Sequence, residues 1–119
     1  MRRELNHVHG VPRAEQIARL NDQLRKSGRG GQVVVTRGIH ELTAGDVTKL
    51  LTSLAAFNEF DADSDPHGER DLGILDFEGA EVLWKVDYYA EGDMFLGSDD
   101  PADATVTHRV LTIMLAEEY

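Results

Sequence analysis

Residues 60–73 read FDADSDPHGERDLG, a run that gathers Asp61, Asp63, Asp65, Glu69 and Asp71 around one histidine, His67, and one arginine, Arg70. Carboxylates at this density can hold a divalent cation, move a proton or present a negative surface. Asp61, Asp63 and Asp65 fall on the first three ligand positions of a calcium-binding EF-hand loop. The match ends there, because the glycine of the sixth position is Pro66 and the bidentate glutamate of the twelfth is Leu72. A solvated loop in which Asp and Ser turn the chain is the simpler reading. The alternative is an irregular Ca2+ or Mg2+ site, or an enzyme, built on His67, Glu69, Asp71 and Asp87. That alternative requires the DPHGERD loop to fold back on WKVDYY (Trp84–Tyr89) and bring His67 or Glu69 near Asp87 in a pocket. Ser64 and Arg70 lie close by, but no hydrolase spacing such as GxSxG or HExxH accompanies them. No catalytic residue is assigned on these grounds.

Other stretches raise and lose similar readings. SGRGGQ (Ser27–Gln32) has the glycine density of a phosphate loop. It follows a predicted helix rather than opening one, and no GK[ST] comes after it, so it reads as a helix stop and chain reversal. No cofactor is expected. His7, His9, His40 and His108 stand away from the acidic run. Trp84 and Tyr88 suit a core, whereas Lys85 and Tyr89 suit a surface.

The acidic residues make a stronger case together than singly. Asp76 and Glu78, and Lys85 and Asp87, stand two apart on predicted strands, a spacing of about 6.6–7 Å on one face. Asp99, Asp100 and Asp103 add a second cluster. Carboxylates at such spacings imitate a phosphate backbone to a basic, nucleic-acid-binding protein. The charge is also unevenly placed: residues 1–58 carry +4, residues 59–103 carry −13 with Arg70 and Lys85 as their only bases, and residues 104–119 carry −1. An acidic half of this size repels nucleic acid directly and attracts basic surfaces.

The elements that must position these residues follow from periodicity. The length of 119 residues suits one domain with one core, with residues 1–10 loose. A content of 41% hydrophobic and 29% charged residues fits a globular chain. No apolar run approaches the ~18–20 residues that span a bilayer. MRRELNHVHG lacks the apolar segment of a secretory signal, and the absence of cysteine removes disulfides and thiolate chemistry. A cytoplasmic location, with no membrane partner, is the expectation.

VPRAEQIARLNDQLRKSG predicts a helix with Pro12 at its first position and Gly28 as its stop. QVVVT (Gln32–Thr36) predicts a buried strand. TAGDVTKLLTSLAAFNEF predicts a second helix, with Thr43 and Asp46 resembling a capping box. DLGILDFEGAEVLWKVDYYA predicts a hairpin turning near Gly79, one face apolar and the other mixed. The last segment predicts a third helix, opened by Asp100 and Pro101 and burying Val106, Val110, Leu111, Ile113, Met114 and Leu115. The expected fold is α+β in the order α-β-α-β-β-α, a small, mainly antiparallel three-stranded sheet packed with three helices.

Four segments, TRGI, FDADSDPHGERDLG, WKVDYY and DPADATVTHRVLTIMLAEEY, carry a resemblance from about Ala14 to Tyr119. They resemble domain-of-unknown-function family 3768, short alphaproteobacterial proteins frequent on plasmids and mobile elements. Arg70 stands where the family pattern has His, and Ala90 where it has Asp, which weakens a catalytic His–carboxylate pair. The resemblance implies mobile-element biology and supplies no activity or cofactor. The combined expectation is a non-enzymatic acidic protein that inhibits a basic nucleic-acid-binding defence protein, of anti-CRISPR or anti-restriction type. Its partner would be a nuclease or CRISPR-type effector complex. The contacts would come from Asp61, Asp63, Asp65, Glu69, Asp71, Asp76, Glu78, Asp87 and Asp99. A third option is a domain that interacts elsewhere, through Arg2, Arg3, Arg13 and Arg29.

Overall fold

The computed structural model describes residues 10–119; the loose segment expected at residues 1–10 and the residues Arg2, Arg3, His7 and His9 lie almost wholly outside them. Three helices, α1 (Arg13–Ser27), α2 (Arg37–Leu42) and α3 (Thr48–Ala56), cover one face of a five-stranded sheet. Its strands are β1 (Gln32–Val35), β2 (Leu72–Phe77), β3 (Ala80–Ala90), β4 (Asp93–Gly97) and β5 (Thr107–Leu115), with a short 3-10 helix at Ala116–Glu118. The spatial order is β1-β5-β3-β2, and β4 joins the end of β3. β1 runs parallel to β5; all other pairs are antiparallel. The architecture is α+β, as expected, but the sheet is mixed and has five strands rather than three.

The largest correction concerns residues 107–115, expected as a helix and found as the central strand β5. Leu111 and Ile113 face the helices, while Val110 and Met114 are buried on the opposite face. A strand buried on both faces loses its alternation and reads like a buried helix. Asp100 and Pro101 do not open a helix; the Asp103 amide donates to the Asp100 carbonyl in a turn, and the Asp103 carboxylate accepts from the Thr105 amide. The second helix is also shifted. Thr43 closes α2, and Asp46 accepts from the Thr48 amide at the start of α3. Pro12 caps α1 from just outside it, and Gly28 stops it in a left-handed conformation, its N–H donating to Leu24 O.

The core lies between helices and sheet: Leu24, Ile39, Leu50 and Leu54 pack on Val82, Trp84, Val86, Leu111 and Ile113. Each such side chain contributes about 1.5–3 kcal/mol by leaving water. Trp84 meets Phe57 and Phe60 edge-on, and the Arg25 guanidinium lies 5.3 Å from its ring centre. Gly73 of β2 makes room for the indole, since a Cβ there would stand 2.5 Å from Trp84 Nε1. The β2–β3 hairpin turns at Glu78 and Gly79, both with positive φ, which fixes Asp76 opposite Glu81.

Candidate functional site

The DPHGERD loop does fold back on the sheet, but onto Tyr88 rather than Asp87. α1 supplies Glu15, Asn21 and Asp22, three positions on one helical face. Arg70, which follows Glu69 with a positive φ of 52°, reaches across to all of the carboxylates of that face. Its guanidinium donates to Asp22 at 2.8 Å and to Glu15 at 3.1 Å. The Glu15 carboxyl is held below its usual range by the hydrogen bonds from Arg70, which with help from Arg19 outweigh the upward push of burial. At Asp22 burial is the largest single influence and pushes upward, but the hydrogen bonds from Arg70 and Arg25 outweigh it and the net shift is down.

Beneath this pair lies a buried polar network. Asn21, fully buried, donates to the Tyr88 hydroxyl at 2.8 Å and to the Glu69 carbonyl at 3.0 Å, and accepts from Arg109 Nε at 2.9 Å. The Tyr88 hydroxyl donates in turn to the Glu69 carboxylate at 2.9 Å. Arg109 is buried against the Tyr88 ring and also donates to the Pro101 carbonyl. Burial raises the Tyr88 pKa and lowers that of Arg109. Burial also raises Asp71, and the neighbouring Glu69 and Asp65 carboxylates add to the effect. Asn21, Tyr88 and Arg109 each meet protein partners, so the network serves to fasten α1 to β3 and β5.

Of the residues proposed from sequence, Glu69 is therefore turned inward and Asp71 is half-buried. Asp65 accepts from the Arg70 amide, and Asp61 caps its own turn through the Ser64 and Asp63 amides, which hold its pKa down. Asp87 projects from the opposite face of β3 to Tyr88 and pairs with Lys85. The four members of the His67/Glu69/Asp71/Asp87 set are thus divided between two faces of the sheet. Among the described residues no three His, Asp or Glu side chains converge as a metal site.

Asp61, Asp65 and Glu69 make no ion pair but accept hydrogen bonds within the chain, whereas the carboxylates of Asp63, Asp76, Glu78 and Asp99, like that of half-buried Asp71, have neither an ion pair nor a hydrogen bond among the described residues. Asp76 and Glu81 face each other across β2 and β3, with Glu59 nearby at the end of α3, and the three rim a groove of about 530 Å3. Its walls include Ala56, Phe57 and Ile74. Like charges directly opposite on a sheet are destabilising, and neither cation of the acidic half relieves them: Arg70 is engaged by Glu15 and Asp22, and Lys85 by Asp87. Glu81 was legible in principle, since a two-residue Glu78-Gly79 turn dictates the Asp76–Glu81 register. Glu59 had no sequence signal, and neither did the role of Asn21 and Arg109.

Among the described residues no helix is long and apolar enough to cross a membrane. No curated protein and no solved structure matches the chain. Residues 35–118 match the family described as protein of unknown function, DUF3768, an interval that takes in the acidic loop, the hairpin and β5 but leaves out α1. The protein is a member of the DUF3768 family.

Proposed function

We propose that this protein is a small, non-enzymatic acidic binding protein whose partner presents a basic surface. The carrying observation is that both cations of residues 59–103 are engaged internally, Arg70 by Glu15 and Asp22 and Lys85 by Asp87, while Glu59, Asp76, Glu78 and Glu81 make no ion pair among the described residues. Such a surface attracts a partner that supplies the missing positive charge. The mobile-element setting implied by the family resemblance directs the sharper form: inhibition of a nuclease or CRISPR-type effector complex by imitation of nucleic acid. Binding rather than catalysis is supported by the inward turn of Glu69, whose carboxylate accepts from the Tyr88 hydroxyl, and by the separation of Asp87 from His67 and Asp71.

The structure-guided test uses the chain with Glu59, Asp76, Glu78 and Glu81 changed to Lys, beside a second variant with Asp61, Asp63 and Asp65 changed to Lys. Each is assayed for capture by, and inhibition of, purified DNA-binding nucleases and CRISPR-type effectors. Loss of capture in the first variant, and loss in the wild type near ~1 M salt where screening reaches about 3 Å, is the expected result. Capture that survives both reversals and high salt overturns the proposal.

A further inference from the structure

Deepening that reading, and resting on it, we propose that the open edge of β2 receives an extended basic segment of the partner by strand addition. A Lys or Arg side chain of that segment would sit in the groove beside α3. The backbone geometry comes first. The Val86 amide donates to the Asp71 carbonyl at 2.8 Å, between residues directly opposite in register. Hydrogen-bonded pairs then alternate along the hairpin at Asp71/Val86, Gly73/Trp84, Leu75/Val82 and Phe77/Ala80. Leu72, Ile74 and Asp76 therefore direct their N–H and C=O groups away from β3. β2 is the last strand on that side of the sheet, so among the described residues nothing pairs with them.

Edge strands are ordinarily blunted by Lys, Pro or a bulge, because a row of unpaired amides templates further pairing. β2 reads LGILDF, contains neither Lys nor Pro, carries Asp76 as its one charge and keeps an unbroken register with β3, so what guards this edge repels anionic strands and not basic ones. Instead it exposes apolar side chains, Ile74 at 49% and Leu72 at 37%. Backbone hydrogen bonds would supply affinity in strand addition, and side-chain pockets would supply selectivity.

Charge selects the occupant. The groove alongside is lined by the apolar residues Ala56, Phe57 and Ile74 together with the carboxylates Glu59, Asp76 and Glu81. The C-terminal, electronegative end of α3 adjoins it. A lining that combines apolar side chains with three carboxylates fits a Lys or Arg side chain, whose methylene stem and cationic head have the same two parts. A second copy fits poorly, since pairing two β2 edges would set these carboxylates against their own kind.

The probe is a short synthetic peptide alternating Arg and Val, compared with the same peptide N-methylated at alternate amides on the strand edge that would face β2. Binding is followed by residue-resolved amide exchange on the wild type and on Ile74→Pro. That substitution removes an outward N–H and no bond to β3, a position where an edge strand accepts proline. The expected result is that the unmodified peptide slows exchange at Leu72, Ile74 and Asp76 by about tenfold or more, and that N-methylation or Ile74→Pro abolishes the effect. Equal binding of both peptides, lost only with salt, overturns strand addition and leaves the charge-based reading standing. Binding of neither also overturns it, while the nuclease capture above judges the broader reading separately. Protection of the same amides without peptide, rising with protein concentration, makes the occupant a second copy and overturns it too. If Ile74→Pro does not fold, the N-methylated peptide decides alone.

Discussion

Two groups of carboxylates in this protein live under opposite electrostatic conditions. Around α1, Glu15 and Asp22 share Arg70, while the Glu69 carboxylate takes a proton donor from Tyr88. Between the β2–β3 hairpin and the segment after α3, Asp76, Glu81 and Glu59 share one groove with no cation among its lining residues. The first arrangement is what folding favours for partly buried charge, which loses some of its hydration and is repaid by a partner. The second works against folding, and ordinary stability gives no reason to keep it. The difference separates carboxylates that hold the chain together from those open to something outside it.

The sharpest way to break the comparison is to remove the centre of the paired region. Asn21→Ala takes the partner from buried Arg109 Nε and from the Glu69 carbonyl, while the Tyr88 hydroxyl keeps its bond to the Glu69 carboxylate, and should cost about 3 kcal/mol in urea unfolding, since each unsatisfied group costs about 1–3 kcal/mol. An effect below the noise of the measurement would mean that water replaces the amide and that the network is not a fastener.

Arg70→Ala should cost less, about 1–2 kcal/mol, because the pairs are partly solvent-exposed. It should also change the pH profile. Glu15 and Asp22 have folded pKa values below their unfolded ones. Their stabilisation is present above the unfolded values and is lost as pH falls through the folded ones, in the acid range below about pH 4. Thermal melts from neutral to acid pH should show that decline in the wild type and a shallower one in Arg70→Ala.

Asp71 has the opposite sign. Its folded pKa is raised by burial, so its stabilisation belongs to low pH and is lost as pH rises through the folded value. Asp71→Asn should raise the melting temperature at pH 7, with the gain fading toward acid. A drop at pH 7 would show that the charged form has a partner.

The smallest stability effect is the most informative about function. Glu81→Lys replaces a repulsive cross-strand pair with an attractive one and should stabilise the hairpin by about 0.5 kcal/mol. If it also abolishes partner capture, stability and binding pull in opposite directions at one residue. If capture is unchanged, the groove is not the contact.

Sequence patterning located the elements best where one face only is buried. α1, with Ile17, Leu20 and Leu24 on one stripe, and the hairpin, with Val82, Trp84, Val86 and Tyr88 alternating, were both legible. β5 was not, because β1 and β3 flank it and both its faces are covered, leaving no period to read. β4 was missed for the opposite reason: all of its residues are exposed, Phe95 at 98%, so burial imposes no pattern. At the site, the excess of negative charge was visible in composition. Which carboxylates would be neutralised was not, since Arg70 meets Glu15 and Asp22 from 55 and 48 positions away. Only the register of a tight turn carried local information, at Asp76 and Glu81.

The place of β5 in the sheet has a consequence for how the chain is made. Synthesis delivers β1 first, then β2, β3 and β4, and the strand that joins β1 to β3 comes after all of them. Until β5 has left the ribosome, β1 has no partner, β3 is paired along one side only, and the faces of Trp84 and Leu54 lack their cover of Leu111 and Ile113. Non-local pairing of this kind is slow to form, and a nascent chain halted before residue 107 would present open strand edges to chaperones and proteases. Ribosome-bound intermediates should therefore stay protease-sensitive until that strand emerges, then become resistant in one step.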